Sequence, residues 1–299
     1  PEYTDRDSTP WSEHRRFIKT ITIEEGVTSI SDYAFAGCII LTEAVISDSV
    51  TIIGANAFFE CCSLEKVVIG NAVKTIGYGA FASCYSLVEV IVGRSVVTLD
   101  TYAFAECPSL PKIDLPDTVT TMKNGAFYGC YKLAEFTLPP LLTTVNAFVF
   151  QGLPIEKIVI HDAITTIMSG AFWACKLKKV VIGSSVDRIE DHAFYKCPYL
   201  ADVTISDSVT TIGEWAFSEC YSLNKVDIGR SVATMNENVF ANSENLTTVI
   251  CRNPVPPTIT ADLFFDIDLS GCTLKVLASA VDAYKAAPAW KEFGSITGI

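Results

Sequence analysis

A phenylalanine preceded by Ala or Val, and usually followed by Cys three residues later, returns at a nearly fixed interval through most of this 299-residue chain. The repeated residues are Phe35, Phe58, Phe81, Phe104, Phe127, Phe150, Phe172, Phe194, Phe217 and Phe240, spaced 23 or 22 residues apart. Both short intervals arise from one residue missing, after Leu153 and after Cys175. Aligned on these phenylalanines, the units read Leu-x-x-Val-x-Ile, a three-residue turn, Val-x-x-Ile, and then Ala-Phe-x-x-Cys. Leu200, Val203, Ile205, Val209, Ile212, Ala216, Phe217 and Cys220 form one clean copy. Val-x-Ile has the two-residue period of a strand, while the Ala, Phe, Cys and next Leu spacing suits one helical or 3-10 turn. The triplets between, such as Ser47-Asp48-Ser49, Gly93-Arg94-Ser95 and Pro116-Asp117-Thr118, have the composition of tight reversals. A unit this short cannot bury its own Leu, Val, Ile and Phe. Stacking copies in register buries them, which predicts a solenoid of parallel strands with a continuous phenylalanine column. Eleven strand segments are expected between Ile18 and Cys251, each about 4.8 Å from the next.

The repeat resembles the BspA-like, or Treponema pallidum type, leucine-rich repeat family, whose unit has this length and this Ala-Phe-x-x-Cys segment. The resemblance covers about residues 17–251. It implies a leucine-rich repeat solenoid of about ten 22–23-residue repeats, with stacked parallel β-strands and short helical or 3-10 turns. Thr273-Leu274-Lys275-Val276, followed by Val281, Tyr284, Trp290 and Phe293, is similar to the small α/β C-terminal cap of such proteins from gut bacteria; Leu277 stands where that cap usually carries Pro. The resemblance also implies a bacterial protein, secreted or anchored at the cell surface, that works in adhesion or host-protein recognition.

Three segments follow: a polar leader over 1–16, the solenoid over 17–251 and the cap over 252–299. Asn253-Pro254-Val255-Pro256-Pro257 ends the ladder, because proline has no amide to donate. The leader reads as extended, with Trp11 its docking group. Since the sequence opens on Pro1 rather than Met, removal of a signal or lipoprotein segment is expected.

Net charge is −12, from 22 basic and 34 acidic residues. That field repels polyanions, so nucleic acid is not expected as a partner. Apolar runs are too short to cross a bilayer as a helix.

Catalytic chemistry finds no foothold. His14, His161 and His192 share no ligand spacing, no nucleophile turn of the G-x-S-x-G kind is present, and the carboxylates are dispersed. Eight of the eleven cysteines occupy one repeat position: Cys38, Cys61, Cys84, Cys107, Cys130, Cys175, Cys197 and Cys220. Their spacing is far from that of zinc ligands, and Leu153 and Ser243 replace two of them, so the position reads as a buried thiol ladder. A bridge between Cys251 and Cys272 is left open. Neither a catalytic residue, a metal nor a cofactor is expected, and the chain reads as a monomer.

Recognition is expected on the open strand face. The second x of Leu-x-x-Val-x-Ile runs Glu43, Lys66, Glu89, Lys112, Glu135, Lys157, Lys179, Asp202 and Lys225, alternating in sign except at Lys157 and Lys179. Opposite charges across neighbouring strands stabilise a sheet and like charges oppose it. The exception therefore marks Lys157, Val159, Lys179 and Val181, with Lys178 beside them, as the expected contact for an extracellular protein or glycan. Val45, Lys66, Val68, Glu89 and Ile91 form a secondary patch. The alternative is a passive surface spacer.

Overall fold

A computed structural model describes residues 3–299; Pro1 and Glu2, part of the predicted leader, lie outside the described residues. Two compact units divide the chain, Pro1–Pro154 and Ile155–Ile299.

In the first unit, β1 (Thr20–Ile23), β2 (Glu43–Ile46), β3 (Lys66–Val68) and β4 (Glu89–Ile91) form one parallel sheet in chain order. Residues one repeat apart face each other: Ile21 pairs with Ala44, Ala44 with Val67 and Val67 with Val90. A second parallel sheet is built from the two-residue strands Ser29–Ile30, Ile52–Ile53, Thr75–Ile76, Thr98–Leu99 and Thr121–Met122. Ile30, Ile53, Ile76, Leu99 and Met122 point into the core.

The Ala-Phe-x-x-Cys side of each coil is a succession of i to i−3 turns. The Cys61 amide donates to Phe58 O at 3.2 Å and the Leu64 amide to Cys61 O at 2.9 Å. Between these turns the amides reach the following coil, as Phe35 N–H does to Ala57 O (2.7 Å) and Phe58 N–H to Ala80 O (2.7 Å). Two residues per coil take left-handed backbone to make this possible, for example Asn56 (φ 54°) and Glu60 (φ 58°) around Phe58. The phenylalanine rings stack flat, at 5.3 Å for Phe35 and Phe58, 5.0 Å for Phe58 and Phe81, and 5.2 Å for Phe81 and Phe104.

The described part of the leader is not extended. It forms 3-10 turns at Arg6–Ser8 and Arg15–Phe17, and Trp11 stacks on Phe35 at 5.5 Å while its indole N–H donates to Ala34 O at 2.6 Å. The cause is the raw end of the column: without Trp11 the outer face of Phe35 would meet water. Arg6, paired with Glu60 at 3.0 Å, fastens the same segment.

The strand ladder does not continue beyond β4 in this unit. Lys112–Asp114 and Glu135–Thr137, expected as strands, have no strand pairing. Three prolines and one bulky side chain account for this. Pro111 occupies the place from which Val88 donates its amide to Glu65 O (2.9 Å), and it has no amide to give. Pro116 and Pro139 stand where Ser47 donates to Ile23 O at 3.2 Å. They also align with Gly93, at which even a Cβ would collide with Gly70 O, so a pyrrolidine ring forces the coil outward. Phe136 replaces the repeat Val and wedges between Phe127 (5.2 Å) and Phe150 (4.8 Å). The column widens accordingly, to 5.9 Å from Phe104 to Phe127 and 6.4 Å from Phe127 to Phe150.

This difference is measurable by amide hydrogen exchange. The backbone amides of Lys112–Leu115 and Glu135–Leu138 are expected to exchange far faster than those of Ala44–Ile46, because they have no internal partner to break. Equal protection in the two sets would show that the ladder is continuous.

In the second unit, β5 (Lys157–Ile160), β6 (Lys179–Ile182), β7 (Asp202–Ile205), β8 (Lys225–Ile228), β9 (Thr248–Cys251), β10 (Thr273–Val276) and β11 (Ser295–Gly298) form a parallel sheet in chain order. The rings again stack, from Phe172 on Phe194 (5.2 Å) through Phe217 and Phe240 to Phe264 (5.7 Å from Phe240). Trp290 and Phe293 close this end edge-on against Phe264, at 6.1 and 5.4 Å. Helix α1 (Val281–Ala286) supplies Tyr284, whose hydroxyl reaches Cys251 Sγ and Asn253 O, both at 3.1 Å. The Trp290 indole donates to Pro257 O at 2.9 Å. Tyr284 and Trp290 are fully buried, so each polar edge has its partner before the ring is taken from water.

Candidate functional site

The cysteine position is structural and carries a specific hydrogen bond. Cys61 Sγ points at Phe35 O (3.3 Å), Cys84 at Phe58 O (3.4 Å), Cys107 at Phe81 O (3.2 Å), Cys130 at Phe104 O (3.1 Å) and Cys220 at Phe194 O (3.4 Å). Ser243, one of the two substitutes, donates the same bond to Phe217 O at 3.1 Å. Where the position carries Cys or Ser it adds a donor to its bulk, which spacing alone did not reveal; Leu153 fills it with bulk alone. Burial pushes the thiols up, Cys38 to about 11 and Cys220 to about 12, with Cys61, Cys107, Cys130 and Cys197 well above their ordinary range. Such groups are poor nucleophiles and poor metal ligands at neutral pH. No disulfide joins Cys251 to Cys272; Cys272 Sγ donates to Leu246 O at 2.8 Å. Among the described residues no cluster of three or more His, Cys, Asp or Glu is arranged to hold a metal.

On the second unit's sheet, Lys157 stands opposite Lys179 and Val159 opposite Val181, in parallel register. Both strands alternate exposed and buried residues, which leaves Val159 50% and Val181 42% exposed. The neighbouring Lys178 is held by Glu156 at 2.8 Å, and no ion pair holds Lys157 or Lys179 among the described residues. Adjacent like charges about 5 Å apart cost sheet stability, so packing does not explain them. Farther along the face, Asp227 accepts from Arg252 through both carboxylate oxygens at 2.7 Å and its charge is spent internally.

The first unit shows both the expected charge ladder and its end. Lys66 lies 3.8 Å from Glu43 and 3.8 Å from Glu89. Val45 and Val68 beside it are half-buried, whereas Ile91 is 47% exposed. Lys112, expected between Glu89 and Glu135, instead pairs with Asp114 of its own segment at 2.9 Å, because no strand holds it in register. Where the ladder opens lies a cleft of about 280 Å³, lined among others by Lys112, Asp114, Asp117, Glu135, Phe136 and Pro139. The expected face residues do not include this cleft. Its sequence signals are Pro111, Pro116, Pro139 and the Phe at 136 in a Val position.

A sequence model of the BspA type leucine-rich repeat region, in six copies, matches residues 13–96, 52–178 and 165–284. The chain belongs to this family. Solved structures of similar fold include a leucine-rich repeat protein from Bacteroides ovatus, 24% identical, with a TM-score of 0.61 over 95% of this chain and 84% of that one. The pneumococcal vaccine antigen PcpA is 17% identical, with a TM-score of 0.54 over 94% of this chain and 89% of its own. A leucine-rich cell surface protein from Faecalibacterium prausnitzii is 23% identical, with a TM-score of 0.47 over 77% and 78% of the two chains. No curated protein matches the sequence. Each unit of this BspA-type chain presents a parallel strand face with charged and apolar rows, and no helix among the described residues is long and apolar enough to cross a membrane.

Proposed function

We propose that this BspA-type protein is a non-enzymatic binding protein of the bacterial surface, which recognises an extracellular protein or glycan through the open strand face at Lys157, Val159, Lys179 and Val181. The observation that carries the reading is the in-register lysine pair, exposed and without an ion pair among the described residues, on a chain of net charge −12. A local positive spot in a negative field is distinctive to an anionic group, and the two exposed valines give it apolar area that excludes water. The surface location is in keeping with a protein of the same fold described as a pneumococcal vaccine antigen.

The test is capture from a panel of immobilised extracellular matrix proteins and sulfated glycans. A Lys157→Glu/Lys179→Glu variant should fold normally, since both side chains project from the sheet, yet lose capture at low ionic strength. Wild-type capture should itself weaken as salt shortens the screening length to about 10 Å at 0.1 M. Unchanged capture by the folded variant removes this site. If no substitution on the face alters any binding, the protein is a passive spacer.

A further inference from the structure

The opened ladder of the first unit leaves backbone groups without partners. In β2 and β3 every second amide is tied to a neighbouring coil, whereas among the described residues the amides and carbonyls of Lys112–Leu115 and Glu135–Leu138 bond to no protein group. Both segments nevertheless keep the alternation of a strand. Lys112 and Asp114 are exposed around buried Ile113, and Glu135 and Thr137 are exposed beside buried Phe136 and Leu138. Unpaired strand edges are templates for another strand. The cleft between them, about 280 Å³, holds on the order of nine waters at about 30 Å³ each, far more than the closed ladder leaves between coils about 4.8 Å apart. Its rim carries three carboxylates, Asp114, Asp117 and Glu135, against Lys112, which Asp114 already neutralises.

We propose that this cleft takes the main chain of an extended peptide bearing a lysine or arginine. The peptide backbone supplies partners for the amides and carbonyls that the opened ladder leaves unpaired, as in strand addition to an open edge. Its cationic side chain lies against Glu135 and Asp117, neither of which is in a salt bridge among the described residues, Lys112 being paired with Asp114. The site is separate from the Lys157 and Lys179 spot, on a different unit and of opposite charge preference.

The probes are three synthetic peptides: acetyl-Thr-Val-Lys-Val-Thr-amide, the same peptide with Glu in place of Lys, and the Lys peptide N-methylated at both valines. Binding is read from the amide NMR signals of residues 112–115 and 135–138. The Lys peptide is expected to shift these signals and saturate; the Glu peptide should bind about tenfold or more weakly, because like charges then face each other. The N-methylated peptide should not bind, having lost the donors. A Pro111→Val/Pro116→Gly/Phe136→Val/Pro139→Gly variant, which restores the sequence pattern of the closed coils, should lose the site while its circular dichroism and thermal midpoint show it folded. The Lys157→Glu/Lys179→Glu variant should bind the Lys peptide as wild type does, which separates this site from the proposed face. Absence of saturable binding by the Lys peptide to wild-type protein overturns the proposal. So does equal binding of the N-methylated peptide, or displacement of the Lys peptide by a neutral oligosaccharide.

Discussion

Phe81→Ala is expected to destabilise the protein by about 3–5 kcal/mol, the range for emptying a buried aromatic site. Phe81 has no exposed surface and its ring lies flat between Phe58 at 5.0 Å and Phe104 at 5.2 Å. Removing it leaves a gap bounded by two rings, each held by its own coil. Neither can move into the space without breaking the amide bonds that fix it, such as Phe58 N–H to Ala80 O and Phe104 N–H to Ala126 O. Collapse is therefore limited, which places the cost toward the upper part of the range. Phe17, 64% exposed, provides the control: Phe17→Ala should change stability by no more than about 0.5 kcal/mol. Urea unfolding followed by circular dichroism measures both. A loss below about 1 kcal/mol at Phe81 would mean that the column is not what holds adjacent coils together.

The cysteines should separate into two kinetic classes of very different rate. Cys62 is the one cysteine that is not buried, and a thiol reagent at pH 8 should label it in the native protein. The ladder thiols should react only after unfolding, because they are inaccessible and because burial holds them protonated. The same shifts fix the alkaline limit of stability. Cys38, Cys61, Cys84, Cys107, Cys130, Cys197 and Cys220 have folded pKa values above their unfolded ones, so the native state binds more protons than the unfolded state at high pH. Stability is fully present below pH 9, the ordinary thiol value, and falls as pH rises toward about 11 for Cys38 and about 12 for Cys220. Labelling of several thiols per native molecule on the timescale of Cys62, or stability that stays level from pH 9 to 11, would contradict this picture.

Much of this arrangement was legible in the repeat. A period of 22 or 23 residues with Val-x-Ile and Ala-Phe-x-x-Cys at constant offsets leaves only one way to bury the apolar set, with like against like in the next coil. The observed pairings, Ile21 to Ala44 and Lys157 to Lys179, follow from that constraint. The outward row of alternating charge is equally a property of strand periodicity, and Lys66 between Glu43 and Glu89 realises it. The donor role at the cysteine position was not legible, since it depends on where the preceding coil's Phe carbonyl points; the serine at 243 was its only trace.

What the sequence determined by itself is the repeating element: its length, its inward residues and the direction in which copies must stack. Tertiary structure decided where that repetition fails. Pro111, Pro116 and Pro139 each remove one amide, a local effect visible in the sequence, but whether a coil tolerates the loss depends on how closely its neighbours can approach. Phe136, driven between Phe127 and Phe150, sets that distance, and the column opens from 5.0 Å to 6.4 Å. Backbone hydrogen bonds do not survive much stretching, so a side chain too large for its place in the core parts the strands at the surface. The consequence appears as a cleft lined by Phe136 and Pro139 themselves and as Lys112 turned from the ladder to Asp114. Only packing links the two, which is why this feature is absent from any one repeat and present in the stack.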